Sequence, residues 1–341
     1  MRIMHLLTSN TYSGAENVCI NLMKIAENDY DVYYVSVNGP IKNKLKSLNL
    51  KYLPLNKFSF SEVRKAIYLI KPDIVHAHDI KASVYSTLLC NCPIVSHIHG
   101  KFDDMSKLSL KSLLYFFCSY KFSKIFYVSK SIYEEFYFKK ILDKKGKYLP
   151  NRIDENIIKQ RLEKVDDCKK YDLIYIGRLE AVKDPIKFLR VVEKVQMAKS
   201  DITACMVGDG SLNTECIKMI KKLELNVDMV GFQEEPLKYL KESKILVITS
   251  VREGLPMVSL EAIAANKPII STPTDGMKEL IRNHKNGVLA LEIDDIAQEC
   301  LELIRNTDKY NIMVNYIKRN SLNEFDVYRK SVLNTYSTII K

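Results

Sequence analysis

Two glutamates, Glu253 and Glu261, stand eight positions apart in the stretch SVREGLPMVSLEAIAA, residues 250–265. Gly254-Leu255-Pro256, a loop-forming triplet, follows the first, and an apolar helix-forming run surrounds the second. Residues 245–250 read as a buried strand. That pattern puts Glu253 at the carboxyl end of a strand and Glu261 about two turns into a helix that begins near Met257. Ligands bind at that edge in open parallel sheets. Two carboxylates held there can accept hydrogen bonds from the hydroxyls of a sugar.

Cations supply the complementary chemistry. Tyr175-Ile176-Gly177-Arg178 ends a strand pattern, and Lys183 follows five residues after Arg178. A planar guanidinium fork and a compact ammonium together can clamp a diphosphate; the plain alternative is two solvated surface charges. Lys183-Asp184 leads into Pro185, which suits the first turn of a helix. Near the amino terminus, Ser13-Gly14-Ala15-Glu16 runs from a strand into a helix. Gly14 there can let a phosphate approach bare backbone N–H groups, although the segment alone is no more than a tight turn and is not a GxGxxG fingerprint. Val207-Gly208-Asp209-Gly210 ends another strand, with Gly208 permitting a tight turn and Asp209 read as a cap for the next helix. Asp275-Gly276 can contact a ligand or merely turn the chain.

Histidines recur at strand ends, as His76-x-His78-Asp79 and His97-x-His99-Gly100. Alternation sends His97 and His99 to one face. These four residues with Asp79 raise a metal site, but no HExxH pattern or cysteine partner accompanies them, so no metal ligand is assigned. His99, followed by glycine, is the functional candidate; His5, His76 and His97 read as structural or supporting.

The elements that must position these groups are short apolar, β-branched runs alternating with helical patterns, which means parallel sheets covered by helices. One series comprises 3–7, 32–37, 74–77, 94–98, 125–128 and 147–149. A second comprises 173–177, 203–207, 228–230, 245–249, 269–271 and 288–290. Helical stretches fill the gaps at 15–26, 62–70, 186–197 and 212–223. The expected organisation is two doubly wound α/β domains, 1–160 and 161–322. Their seam is the polar stretch Asp154 to Lys170, and a last helix at about 323–341 packs back on the first domain.

A chain of 341 residues accommodates that. No apolar run reaches the length needed to cross a bilayer, and the start MRIMHLLTSNTYSG has no secretory pattern. The eight cysteines lack zinc-ligand or CxxC spacing, as expected of reduced cytosolic thiols. Of the net charge of +11, residues 1–160 carry +10 (24 Lys and Arg, 14 Asp and Glu) and residues 161–341 carry +1 (28 and 27). The basic half therefore expects an anionic partner, nucleic acid or an acidic membrane surface. Within it, the segment Lys101 to Lys147, whose core at residues 107–140 reads KLSLKSLLYFFCSYKFSKIFYVSKSIYEEFYFKK, mixes lysines with Leu, Phe and Tyr. Such a segment can lie in an anionic membrane interface or pack with a lysine-rich solvent face; the charge asymmetry favours the membrane.

Taken in order, these landmarks resemble the GT-B glycosyltransferases, in particular the retaining family 4 group. They are Ser13-Gly14-Ala15-Glu16, Ile98-His99-Gly100, Val128-Ser129-Lys130, 149–154 (LPNRID), Gly177-Arg178 with Lys183, Gly208-Asp209-Gly210, Gly231-Phe232, and Glu253 with Glu261. The resemblance runs from Gly14 to about Ala290. It implies two Rossmann-like domains facing a central cleft, with a nucleotide-diphosphate sugar held mainly by the second. It further implies that Arg178 and Lys183 hold the diphosphate and that Glu261 binds ribose hydroxyls. Glu253, with Gly254, Leu255 and Pro256, would lie against the sugar, Gly14 near the phosphates, Gly208 near the nucleotide base or a phosphate, and His99 near the reacting carbon. Glu253, His99, Arg178 and Lys183 are thus the catalytic candidates. No metal cofactor is expected, because fixed cations neutralise the leaving group.

Three departures stand out: Ser13 replaces a glycine, Asp184 follows Lys183 where glycine is usual, and Arg152 replaces the glycine after Asn151. The last either loosens that turn or sends Arg152 toward the cleft. The implied activity is retaining transfer of a sugar, from a UDP-sugar on family grounds, to a lipid-linked acceptor in bacterial capsule, exopolysaccharide or O-antigen assembly. The enzyme would work in the cytoplasm, peripheral to the inner membrane face. The alternatives are a nucleotide-sugar epimerase, a phosphorylase lacking its cofactor lysine site, and a non-enzymatic binder of nucleic acid or an anionic surface. No nucleic-acid module is visible.

Overall fold

The computed structural model describes residues 1–11, 14–100, 104–320 and 324–340. Ser13 and residues 101–103, 323 and 341, which fall within segments singled out above, lie outside them. The chain divides into two compact units. The first comprises Met1–Arg152 with Glu324–Lys341, and the second Ile153–Asn323. This division falls at Arg152/Ile153, eight residues before the one read from polarity. Helix-forming residues in the expected seam, capped by Asp154, instead build a helix at Glu155–Lys164.

The first unit holds seven strands: β1 (Arg2–Leu6), β2 (Asp31–Val37), β3 (Lys51–Leu55), β4 (Ile74–Ala77), β5 (Ile94–Ile98), β6 (Phe122–Tyr127) and β7 (Gly146–Tyr148). All pair parallel, in the order β3-β2-β1-β4-β5-β6-β7. Between them run α1 (Gly14–Ala26), α2 (Ile41–Ser47), α3 (Phe60–Ile70), α4 (Ile80–Leu89), α5 (Leu110–Ser119), α6 (Lys130–Glu135) and α7 (Lys140–Lys145). The second unit opens with α8 (Glu155–Lys164). Its six strands are β8 (Tyr171–Ile176), β9 (Ala204–Val207), β10 (Val227–Met229), β11 (Ser243–Ile248), β12 (Ile269–Ser271) and β13 (Gly287–Leu289). They are parallel in the order β10-β9-β8-β11-β12-β13. Its remaining helices are α9 (Pro185–Ala198), α10 (Asn213–Lys222), α11 (Leu237–Lys241), α12 (Met257–Ala264), α13 (Asp275–Leu280), α14 (Ile293–Arg305) and α15 (Thr307–Arg319). The chain closes with α16 (Phe325–Ile340), in the first unit.

Strands buried on both faces explain the continuous apolar runs: all five residues of β5 and all four of β4 and β9 are buried. Edge strand β3 was not anticipated. Lys51 and Pro54 interrupt its apolar character, and proline is tolerated only where one ladder is missing. Helix α16 belongs to the first unit because Tyr336 is fully buried there, its hydroxyl 2.7 Å from His76 Nδ1.

Candidate functional site

In the second unit, β8, β9 and β11 are neighbours, so the loops leaving their carboxyl ends must meet. Main-chain bonds knit the first two loops together: Gly177 N donates to Val207 O (3.0 Å), Leu179 N to Asp209 O (2.9 Å) and Leu212 N to Leu179 O (2.9 Å). Gly208 sits at φ +143°, where a Cβ would land on the Gly177 carbonyl oxygen. Only glycine lets the loops close this tightly. Val251 N donates to Val182 O (2.9 Å), and Thr249 Oγ1 to Asp184 O (2.7 Å), which joins the loop after β11 to the same corner.

The result is an ion pair between Lys183 Nζ and Glu253 Oε1, with the two side chains only 22% and 12% exposed. Arg178 stays exposed at the start of the loop that leaves β8, its carbonyl accepting the Tyr175 hydroxyl at 2.8 Å. Burial, with the negative charges of Glu253 and Asp184 nearby, raises the Tyr175 phenol well above its ordinary range. Asp184, in the left-handed region at φ +48°, caps α9 by accepting from Lys187 N at 3.0 Å, with Pro185 at the first turn.

Glu261 lies one turn into α12, not two: the helix starts at Met257 as expected, and the four residues from there to Glu261 make only about one turn. A Cβ on Gly276 would strike the Gly254 carbonyl, so α13 packs directly on the backbone of the loop at Gly254 and Leu255. Asp209 does not cap α10. The helix begins only at Asn213, after a turn, and Asp209 Oδ1 accepts instead from Gly210 N (2.8 Å) and Asn213 Nδ2 (2.9 Å). Sequence reasoning passed over Glu180, which holds Ser211 through its amide (3.0 Å) and hydroxyl (2.7 Å) and so fastens the two glycine-bearing loops.

In the first unit, Gly14 opens α1, and a Cβ there would meet nothing within 4 Å among the described residues. His5, His76, His78 and His97 are buried, and His99 is half-buried just past β5. Register places His5 beside His76, and the rings stack, His76 on His78 at 4.3 Å and 18°, His76 on His97 at 5.3 Å and 19°. Burial drives the imidazoles of His5 and His99 down to about 3 and those of His76, His78 and His97 well below their ordinary value. Burial thus favours the neutral form of all five rings.

Among the described residues, ligand atoms of His76, His78 and His97, and of His5, Cys19 and His78, gather within 4.8 Å. Near-parallel stacked rings carry their lone pairs in parallel planes, however, rather than converging on one point. Asp79 is committed elsewhere: it caps α4 through Ala82 N (2.8 Å) and holds Thr8 through its amide (2.8 Å) and hydroxyl (2.9 Å). Arg152 is taken up by Glu324, through Nε (2.9 Å) and Nη2 (2.5 Å), and its Nη1 donates to Asn151 O at 2.9 Å.

Known proteins decide the class. The model described as Glycosyltransferase Family 4 matches residues 12–156, and that described as Glycosyl transferases group 1 matches residues 156–320. The chain belongs to the family 4 glycosyltransferases. The transferase is 25% identical over 313 residues to the N-acetylgalactosamine-N,N'-diacetylbacillosaminyl-diphospho-undecaprenol 4-alpha-N-acetylgalactosaminyltransferase of Campylobacter jejuni, covering 83% of each chain. It is 24% identical over 370 residues to the UDP-Gal:alpha-D-GlcNAc-diphosphoundecaprenol alpha-1,3-galactosyltransferase of Escherichia coli, covering 97% of this chain and 94% of that one. Its fold matches the crystal structure of Anabaena HepE in complex with UDP-glucose with a TM-score of 0.83, at 19% identity and over 99% and 100% of the two chains. The architecture is therefore GT-B, two parallel-sheet α/β domains. No described helix of the enzyme is long and apolar enough to cross a membrane.

Proposed function

We propose that the enzyme moves a sugar, with retention of its anomeric configuration, from a UDP-sugar to a lipid-linked glycan in bacterial surface polysaccharide assembly. The observation that carries this reading is the Lys183–Glu253 pair joining the loops that leave β8 and β11 at the carboxyl edge of the second sheet, with Arg178 in the first of those loops. The action of the Campylobacter and Escherichia relatives on diphospho-undecaprenol sugars supports the acceptor class, and the UDP-glucose bound to HepE supports the donor.

In the proposed step the bond from the anomeric carbon to the diphosphate breaks as the acceptor hydroxyl attacks from the same face. The hydroxyl proton passes to the departing phosphate oxygen. Arg178 and Lys183 neutralise the charge that grows on the diphosphate, which is electrostatic transition-state stabilisation, so no metal is required. Glu253 supports the positive charge on the sugar ring, with Gly254, Leu255 and Pro256 shaping its surroundings. Glu261 binds ribose, the backbone at Gly14 and Gly208 faces phosphate, and His99 hydrogen-bonds the transferred sugar.

For the acceptor side, α5 exposes Leu110, Leu114 and Phe117 at helical spacing, 83%, 45% and 65% exposed, with Lys107, Lys111 and Lys121 around them. That stripe fits peripheral contact with an anionic membrane. A thermal-shift screen across UDP-, GDP- and ADP-sugars tests the donor, since a ligand of the native state raises its melting point. Product NMR tests retention, and donor incubated alone excludes an epimerase. EDTA that abolishes transfer would overturn metal independence. Flotation with anionic vesicles, lost in Leu114→Ser/Phe117→Ser, tests the membrane contact.

A further inference from the structure

The histidines of the first unit form more than a stack. His5 Nδ1 lies 2.9 Å from His78 Nε2, and His78 Nδ1 lies 2.9 Å from His99 Nε2. His78 thus spends both nitrogens on other imidazoles. At the two ends, His5 Nε2 and His99 Nδ1 are buried and find no partner among the described residues. We propose that His78 and His5 are positioning residues that fix which nitrogen of His99 carries its proton, and so whether His99 Nδ1 offers a donor or an acceptor. The proposal rests on the reading of His99 as a sugar contact.

A neutral imidazole carries one N–H, and each nitrogen–nitrogen bond needs one proton, no more. If His78 received protons from both sides it would be an imidazolate, and if it donated to both it would be a buried imidazolium. Only two arrangements remain. In one, all three rings are protonated at Nε2 and His99 Nδ1 is a bare acceptor. In the other, all three are protonated at Nδ1 and His99 Nδ1 is a donor. The tautomer of His99 therefore cannot change without His78 and His5 changing with it. A ring free in solution has no such constraint. Metal binding by His78 is a competing use of one of these nitrogens, and it would break the bond that nitrogen makes.

Long-range proton–nitrogen NMR on the full-length enzyme, labelled with ¹⁵N-histidine at pH 7.5, reads the tautomers directly and needs no donor or activity. His5, His78 and His99 are expected to share one tautomer. A spectrum in which His5 and His99 are protonated at opposite nitrogens, or in which His78 is metal-shifted until EDTA is added, overturns the proposal. Turnover then tests the consequence. His78→Leu is expected to lower kcat about tenfold with the donor KM unchanged, and His78→Asn, whose amide reaches as Nδ1 does, to return it to within threefold of wild type. Wild-type kcat in His78→Leu overturns the positioning role. Absence of transfer by the wild-type enzyme with any sugar nucleotide would instead indict the donor reading, while the tautomer measurement still decides the coupling of His5, His78 and His99.

Discussion

The Lys183 ammonium pairs with the Glu253 carboxylate across 70 positions of sequence, and both side chains are largely withdrawn from solvent. One residue is assigned to the diphosphate and the other to the sugar, so each holds the other in place. Removing one leaves a partly buried charge uncompensated, which costs stability as well as chemistry. Lys183→Ala is expected to lower kcat/KM roughly 30- to 1,000-fold, about 2–4 kcal/mol, and to lower the melting temperature. Lys183→Met with Glu253→Gln should recover the melting temperature and none of the activity. Activity recovered by that double variant would show that the pair serves only the fold.

Arg178 separates the two effects. Its side chain is exposed, and its structural bond runs through the main-chain carbonyl, which any residue supplies. Arg178→Ala should therefore melt with the wild type yet lose about 2–4 kcal/mol of barrier stabilisation. Steady-state kinetics showing a normal kcat/KM would remove Arg178 from the diphosphate site.

Two glycines should respond in opposite ways. Gly208→Ala places a Cβ on the Gly177 carbonyl at φ +143°, and strain of that kind costs about 1–3 kcal/mol before any clash is added. Denaturant unfolding should show the loss. Gly14→Ala meets open space, so stability should stay within about 1 kcal/mol of wild type, while donor affinity falls if phosphate approaches that backbone. Unchanged donor affinity in Gly14→Ala would free Gly14 of that role.

What sequence could and could not convey follows from range. Strands buried on both faces leave continuous apolar runs, so the parallel sheets of both units were readable, whereas β3, with Lys51 and Pro54 at an edge, was not. Glu253 and Glu261 share one strand–loop–helix unit, and their placement followed from local pattern, apart from one turn of helix. The Lys183–Glu253 contact depends on β8 lying beside β11. The imidazole chain depends on β1, β4 and β5 being neighbours in a fixed register. Neither adjacency is encoded in any single segment. Asp209 misled because a helix start was inferred from a residue type without the turn that delays it.

The buried imidazoles make stability depend on pH, and the sign follows from their neutrality. His5 holds its pKa at about 3 when folded, against an ordinary value of 6.5. Below pH 6.5 the unfolded chain binds a proton that the folded ring refuses, so stability is complete above about pH 7 and declines as pH falls toward 3. At pH 5 His5 alone accounts for about 2 kcal/mol of that loss, and His76, His78 and His97 act in the same direction. His97 is the informative substitution, because neither of its buried nitrogens has a partner among the described residues. Replacing it by leucine removes two unsatisfied polar atoms, each costing about 1–3 kcal/mol where no bond is made, along with one proton acceptor of the unfolded state. His97→Leu should thus melt above wild type at pH 7.5, and by a wider margin at pH 5. A margin that narrows on acidification would mean that His97 is charged in the folded enzyme and has found a counter-charge.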